Sequence, residues 1–252
     1  MKKTLISILV VMAALTALVF SLKLDKRGTP APVGQQPTET PSAYMITREP
    51  TMVSVAEDSY LLGIGGSYPQ FPQADAAFNA KIAKMVTDEI TTFKKSANDD
   101  YQARLQTGGD EFRKEFEQGG MYTMNVKMEL VQSNDRYISF VIRIEGYTGG
   151  AHGYHTITSF NYDVAAKREL AITDFITLAD ASAQSREQLK KVFADNSDAA
   201  TFESFAMDGT DPKKPENFAN FTFTNDAVKI YFNEYQVAPY VYGEQSTTIQ
   251  RK

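Results

Sequence analysis

The chain has 252 residues, 42% of them apolar, a formal net charge of −5 and no cysteine. Without cysteine, disulfide bridges, thiol catalysis, thiolate metal sites and a lipid-modified cysteine anchor are all excluded. The apolar content is enough for one large or two small folded domains, and the negative charge argues against nucleic acid as a partner.

The N-terminus predicts a membrane anchor. Lys2 and Lys3 precede the uncharged apolar stretch Leu5–Leu22, whose length is close to the roughly 20 residues that span a bilayer. We expect a single-pass signal anchor in a bacterial cell membrane, with residues 1–4 as a cytoplasmic stub and the folded part outside the cytoplasm. The alternative is a cleaved signal peptide, which would leave a secreted or periplasmic protein.

Residues 23–51 predict a disordered, flexible linker, because they are rich in Pro and Thr and have no apolar period. Residues 1–27 carry a net charge of +4, so that the rest of the chain carries −9. An exported domain with this charge can attract a basic protein partner.

Residues 52–147 predict an N-terminal α+β domain. In Ala74–Ala97, apolar residues recur at steps of three and four, which is typical of an amphipathic helix. The polar, glycine-containing residues 98–120 predict a mobile excursion with a short helix. Tyr122–Val131 and Tyr137–Ile144 flank a turn sequence and predict two strands of a hairpin.

Residues 148–252 predict a C-terminal domain of the same class. Thr156–Asp163 reads as a strand, Ala181–Phe193 as a helix, and 194–220 as a polar connection. The chain then closes with two strands around a turn at Asn225 and an edge strand. We therefore expect an α+β fold with antiparallel sheets and one long helix in each half.

Both histidines of the chain lie in Tyr147–His155, YTGGAHGYH. Imidazole nitrogens are good ligands for zinc or iron. However, His152 and His155 are three residues apart, which places them on opposite faces of a strand, and the glycines between them oppose a helix. A third ligand would have to come from Asp163 or Glu145, and no HExxH pattern is present. We expect no metal and no other cofactor.

Two interpretations of this loop remain open. The glycines permit positive φ angles, so that His152 can fix the loop by donating to a carbonyl group. An exposed loop of aromatic rings also suits the recognition of a glycan or a protein. Ser159 lies nearby but lacks a Gly-x-Ser-x-Gly elbow, so a serine nucleophile is disfavoured. The predicted binding residues are Tyr147, Gly149, Gly150, His152, Tyr154, His155, Tyr240 and Gly243.

Two separated motifs resemble one bacterial family. The first motif begins with YTGGAH and continues through Asn161, Asp163 and the Asp174-Phe175 pair. The second is Y-x-x-A-P-Y-x-x-G at Tyr235–Gly243. On these residues the chain resembles the RsiV/PdaC-type extracytoplasmic domain of unknown function, preceded by its usual PdaC-like companion domain.

The resemblance implies a module without catalytic residues, because the deacetylase chemistry of PdaC-like chains belongs to a separate domain. We therefore expect that the chain is not an enzyme. The expected function is a membrane-tethered binding or sensor module facing the cell wall or periplasm. Its expected ligand is a cell-wall glycan or a protein, with basic and lysozyme-like proteins included. The alternative is a metal-dependent hydrolase that acts on cell-wall material through His152 and His155.

Overall fold

The structure, a computed structural model, describes residues 45–118, 122–150, 152–194 and 199–251, and all of these belong to one compact unit. The predicted cytoplasmic stub, the predicted anchor at 5–22 and most of the predicted linker lie outside these ranges. Within them, no helix combines the length and the apolar character that a membrane span requires.

The first half is built on a seven-stranded sheet with the order β1-β3-β4-β5-β6-β7, in which β2 also pairs with β3. The strands are β1 Thr51–Ser54, β2 Glu57–Asp58, β3 Leu62–Gln70, β4 Tyr122–Ser133, β5 Tyr137–Tyr147, β6 Tyr154–Asp163 and β7 Arg168–Glu169.

The expectation of purely antiparallel sheets is wrong at one pair of strands. β3 and β4 run parallel, with Leu62 opposite Tyr122, whereas the other pairs of this sheet are antiparallel. A long helical connection leaves β3 and returns the chain to the same end of the sheet. Such a crossover is the connection that a parallel pair requires.

The connection is helix α1, Ala76–Glu117, which continues well beyond the predicted end at Ala97. Gly109 interrupts it with φ 56° and ψ −141°. The rings of Tyr101 and Phe116 are 5.1 Å apart, although these positions would be about 22 Å apart along a straight helix. The residues after Gly109 therefore fold back on the helix. The segment 98–120, for which we predicted a mobile region with a short helix, is largely helical and packs through aromatic contacts.

Helix α1 covers one face of the sheet, and the predicted helical period is confirmed. Phe78, Ile82 and Val86 are buried against the alternate inward-facing residues of the strands, as the amphipathic pattern requires. The buried apolar residues contributed by β3 to β6 are Leu62, Ile64, Tyr122, Met124, Val126, Ile138, Phe140, Ile142, Ile144, Phe160 and Tyr162.

The second half is a three-stranded antiparallel sheet, β10-β9-β8, packed against helices. Its elements are α2 Leu178–Val192, α3 Ala199–Gly209, β8 Phe221–Phe223, β9 Ala227–Phe232 and β10 Gln245–Gln250. Two helices are present where we expected one, because the segment 194–220 contains α3. In that polar segment, Phe202 and Ala206 lie one helical turn apart and are both buried.

The end of the predicted linker is part of the fold. Met45 is buried, Ile46 forms a parallel bridge with Ser133, and the amide of Thr47 donates to the carbonyl of Ser133 at 2.8 Å. Residues 45–48 belong to the linker that the composition predicts, but backbone hydrogen bonds attach them to the end of β4. The division into domains at residues 147 and 148 stays a prediction, and β5 and β6 pair across that point.

Buried polar side chains join the two sheets. Ser139 Oγ donates to Asn161 Oδ1 at 2.7 Å, and Asn161 Nδ2 donates to the carbonyl of Phe221 at 2.7 Å. The amide of Phe223 in turn donates to Ser139 Oγ at 3.0 Å. Side chains of β5 and β6 thus satisfy the backbone groups along the outer edge of β8, as buried polar groups require.

Replacing Gly109 tests the fold-back of α1. We expect Gly109→Ala to lower the free energy of unfolding by about 1–3 kcal/mol, because its backbone conformation suits only glycine. A Cβ atom at this site would meet nothing within 4 Å, so the cost is in the backbone alone. Urea unfolding measures it. Gly65→Ala in β3 is the control, since its Cβ is also unobstructed, and equal costs for the two variants would contradict this account.

Replacing Asn161 tests the connection between the sheets. We expect Asn161→Leu to cost about 1–3 kcal/mol for each buried partner left unsatisfied, namely the hydroxyl of Ser139 and the carbonyl of Phe221. Asn125→Leu on β4 is the matched control, because no side-chain hydrogen bond of Asn125 occurs among the described residues. Denaturant unfolding of both variants measures the difference, and a cost for Asn161→Leu no larger than that of the control would refute the role.

Candidate functional site

The glycine loop between β5 and β6 adopts the left-handed conformations that its sequence predicts. Gly149 and Gly150 have φ angles of 91° and 93°. The hydroxyl of Tyr147 donates to the carbonyl of Gly150 at 3.2 Å and closes the first turn of the loop. A Cβ atom on Gly149 would lie 2.8 Å from Asp100 Oδ2 and from Arg104 Nη2, so the loop rests directly on α1.

The surface of α1 that contacts Gly149 is an ion pair, which also receives a hydrogen bond from the buried Tyr122. Asp100 Oδ2 lies 2.7 Å from Arg104 Nε, and it also accepts a hydrogen bond of 2.6 Å from the hydroxyl of Tyr122. Burial and this hydrogen bond raise the pKa of Tyr122 well above its ordinary value. The hydroxyl therefore stays protonated and keeps donating to Asp100, which fixes the surface under Gly149.

His152 fixes the second turn of the loop. Its Nδ1 atom lies 2.7 Å from the carbonyl oxygen of Gly153. Because a carbonyl oxygen can only accept, Nδ1 carries the proton in this contact. The hydroxyl of Tyr240, which comes from the second half of the chain, donates to the same oxygen at 3.1 Å. The imidazole ring stacks on the ring of Tyr240, with the centroids 4.0 Å apart and an angle of 27° between the planes.

Tyr235 extends this stack. Its ring centroid is 5.6 Å from that of Tyr240, with an angle of 34° between the planes, and 56% of the residue is exposed. Its φ angle of 65° is a strained conformation for a bulky side chain, and such strain often marks functional sites. We call His152, Tyr240 and Tyr235 the aromatic row. Tyr235 was absent from the predicted binding residues, although it opens the second sequence motif.

The short turn Asn233–Gln236 holds Tyr235 in its strained conformation. The amide of Gln236 donates to the carbonyl of Asn233 at 3.0 Å, and the amide of Asn233 donates to Gln236 Oε1 at 3.1 Å. Gln236 Nε2 also donates to the carbonyls of Gly209 and Asn217. These contacts anchor the turn on the second half and keep the exposed ring in place.

The remaining predicted residues lie around the aromatic row rather than in it. Tyr147 is 40% exposed, and Gly243, with φ 61°, ends the 3₁₀ helix that begins at Tyr240. Tyr154 packs against the apolar core between helix α1 and the seven-stranded sheet, where burial raises the pKa of its hydroxyl group. His155 pairs with Glu145 across β5 and β6 and, as the next residue on the strand, points to the other face.

The two histidines therefore have different surroundings. His152 stacks in the aromatic row, and His155 is an exposed position on a strand. In the part of the chain that the structure describes, no group of three or more His, Asp or Glu residues is arranged to hold a metal ion.

The half-buried side chain of Arg143 links the C-terminal flank of the site to the first sheet. Arg143 Nε and Nη2 each lie 3.0 Å from a carboxylate oxygen of Glu244, and Nη1 lies 2.5 Å from Glu129 Oε2. Burial alone would lower the pKa of Arg143, but the two carboxylates outweigh it and raise the pKa. The guanidinium also lies 5.4 Å from the ring centroid of Tyr231, whose pKa burial raises to about 12. Glu244 follows Gly243, so this cluster positions the segment that carries Tyr240.

Two family models match the chain in succession. Residues 55–155 match the family described as Deacetylase PdaC, and residues 167–252 match a protein of unknown function, DUF3298. Over these two successive segments the chain is similar to PdaC and to DUF3298 proteins. The predicted resemblance is thereby confirmed, and the aromatic row takes His152 from the first matched segment and both tyrosines from the second.

A curated relative and a solved structure are also similar to the chain. The chain is 27% identical over 205 residues to the peptidoglycan-N-acetylmuramic acid deacetylase PdaC of Bacillus subtilis (strain 168). The match covers 79% of this chain and 40% of the relative, so the chain spans about two fifths of the relative's length. A DUF3298-family crystal structure from Bacteroides fragilis NCTC 9343 matches with a TM-score of 0.54 at 20% identity, over 81% of this chain and 90% of that one, and shows the fold alone.

These matches correct the expectation that the chain is not an enzyme. The family model over residues 55–155 is described as a deacetylase, and the curated relative is named a peptidoglycan deacetylase. Both names point to an enzyme. The relationship fits a module connected with the cell wall.

Replacing Gly149 and Gly150 in turn distinguishes the cost of backbone strain from the cost of a steric contact with α1. We expect Gly149→Ala to destabilise the protein more than Gly150→Ala, although both have nearly equal positive φ angles. The reason is that only the Cβ atom at Gly149 would press on Asp100 and Arg104, whereas nothing lies within 4 Å of the one at Gly150. Thermal unfolding and hydrogen exchange of the loop amides measure the difference. Equal destabilisation would show that the loop does not rest on the ion pair.

Proposed function

We propose that the chain takes part in peptidoglycan deacetylation and holds the glycan strand against the aromatic row. One observation carries the proposal: the two matched segments together build this row, with His152 and Tyr240 stacked at 4.0 Å. Because the surface needs residues from both segments, a role in ligand binding would explain why the two segments occur in one chain.

Sugar rings suit such a surface. One face of a sugar ring carries C–H groups with partial positive charge, and the face of an aromatic ring is negative, so the two pack together favourably. Tyrosine offers this contact area at a small cost in conformational entropy. Tyr235 and Tyr147 leave 56% and 40% of their surface open to a ligand.

The relative's name supplies the substrate class. The Bacillus subtilis protein is named for N-acetylmuramic acid in peptidoglycan, and we propose the glycan of the same polymer for this chain. The anchor at 5–22 and a location outside the cytoplasm stay predictions that agree with this substrate. A protein ligand, lysozyme-like or otherwise basic, is an outcome that the binding experiment distinguishes.

Replacing Tyr240 tests the proposal. We expect Tyr240→Ala to weaken co-sedimentation of the full chain with purified peptidoglycan about tenfold, which corresponds to about 1.4 kcal/mol, and to lower acetate release in the same mixture. Tyr235→Ala should have the same effect on binding without removing any hydrogen bond of the Gly153 carbonyl. Unfolding curves of both variants establish that they are folded.

Met52→Ala is the control. Met52 is an exposed apolar residue on β1, at 43% exposure, and it lies outside the aromatic row. Its replacement should leave binding unchanged. The proposal fails if peptidoglycan does not bind the unaltered chain, if the control weakens binding as much as Tyr240→Ala, or if lysozyme binds the chain and peptidoglycan does not.

A further inference from the structure

We infer that the aromatic row recognises the protonated amine of a deacetylated amino sugar, with Glu234 supplying the negative charge beside the rings. This inference rests on the proposed function and adds the chemical form of the glycan that the site prefers. The site would then distinguish the product of deacetylation from its substrate.

Glu234 differs from the other carboxylates around the site. Those carboxylates are already engaged: Asp100 pairs with Arg104, Glu145 with Lys127, and Glu129 and Glu244 with Arg143. Glu234 is half-buried next to Tyr235, and its carboxylate has neither an ion pair nor a hydrogen bond to any residue in the described ranges. A partly desolvated carboxylate of this kind is stabilised when a cation arrives.

The rings beside Glu234 favour the same kind of ligand. The face of a tyrosine ring attracts a cation through its quadrupole, and a neighbouring carboxylate adds to that attraction. Glu234 directly precedes Tyr235, whose ring centroid lies 5.6 Å from that of Tyr240, so the carboxylate belongs to the turn that carries the exposed end of the row. Burial is the main cause that raises the pKa of Tyr240, and the charge of Glu234 adds to it. The strained backbone of Tyr235 holds one ring in the exposed position where it meets a ligand.

Deacetylation creates such a cation. Water cleaves the amide bond of the acetamido group, the acetyl carbon leaves as acetate, and the nitrogen stays on the sugar as a primary amine that takes up a proton. The acetylated sugar is neutral at this position and offers Glu234 no charge. The tyrosine rings pack on the acetylated and on the deacetylated sugar alike, so the acetylated sugar still binds. The carboxylate of Glu234 adds affinity only for the deacetylated sugar, which carries the protonated amine.

Soluble oligosaccharides test the inference directly. The full chain is titrated calorimetrically with a glucosamine oligomer and an N-acetylglucosamine oligomer of equal length, at a pH between the pKa of a carboxyl group and that of the amine. We expect the glucosamine oligomer to bind about tenfold more tightly. Glu234→Gln should abolish this preference and leave the affinity for the acetylated oligomer unchanged.

Glu49→Gln is the matched control, since it removes an equal charge from an exposed residue. Glu49 follows the bridge between Ile46 and Ser133, at the end of β4 opposite to the end that pairs with Tyr147. It should keep the preference for the amine.

The outcomes separate the inference from the proposed function. Equal affinity of the unaltered chain for both oligomers overturns the inference and leaves glycan binding standing. Failure of both oligomers and of peptidoglycan to bind overturns both proposals. A short lysine-containing peptide is the third arm: if it binds through Glu234 more tightly than the glucosamine oligomer, the ammonium group belongs to a peptide and the assignment to a sugar is wrong.

Discussion

The outer edge of β8 is the constraint on which the arrangement of the two sheets depends. Its backbone groups are buried against β5 and β6, where no strand of the three-stranded sheet continues the hydrogen bonding. Asn161 and Ser139 satisfy them with side-chain hydrogen bonds instead. Because unpaired backbone groups are costly in the interior, this requirement sets how the second sheet lies on the first.

That arrangement determines where the aromatic row forms. With the sheets joined at Asn161, the segment Tyr240–Gly243 reaches the glycine loop, and Arg143 secures it through Glu244. The loop is held from the opposite side by Asp100 and Tyr122 on the first core. The segments that carry these rings are therefore held by several hydrogen bonds, and such preorganisation lowers the entropy lost when a ligand binds.

The sequence predicts what depends on local periodicity and misses what depends on distant contacts. The spacing of Phe78, Ile82 and Val86 is enough to predict the start of α1. Its extension past residue 97 depends on the contact between Tyr101 and Phe116, which no local pattern shows. The site follows the same rule, because the glycines predict the loop. The strained backbone of Tyr235, and a Glu234 carboxylate without an ion pair among the described residues, emerge only from the folded chain.

The composite origin of the aromatic row bears on how the chain can be divided. Two successive family matches suggest two modules that could be cut apart and studied alone. Here, however, His152 depends on Tyr240 for its ring partner, and the Gly153 carbonyl takes hydrogen bonds from both. Neither piece alone contains the row. Cutting or recombining the chain at the junction would therefore separate His152 from the tyrosine on which its ring stacks.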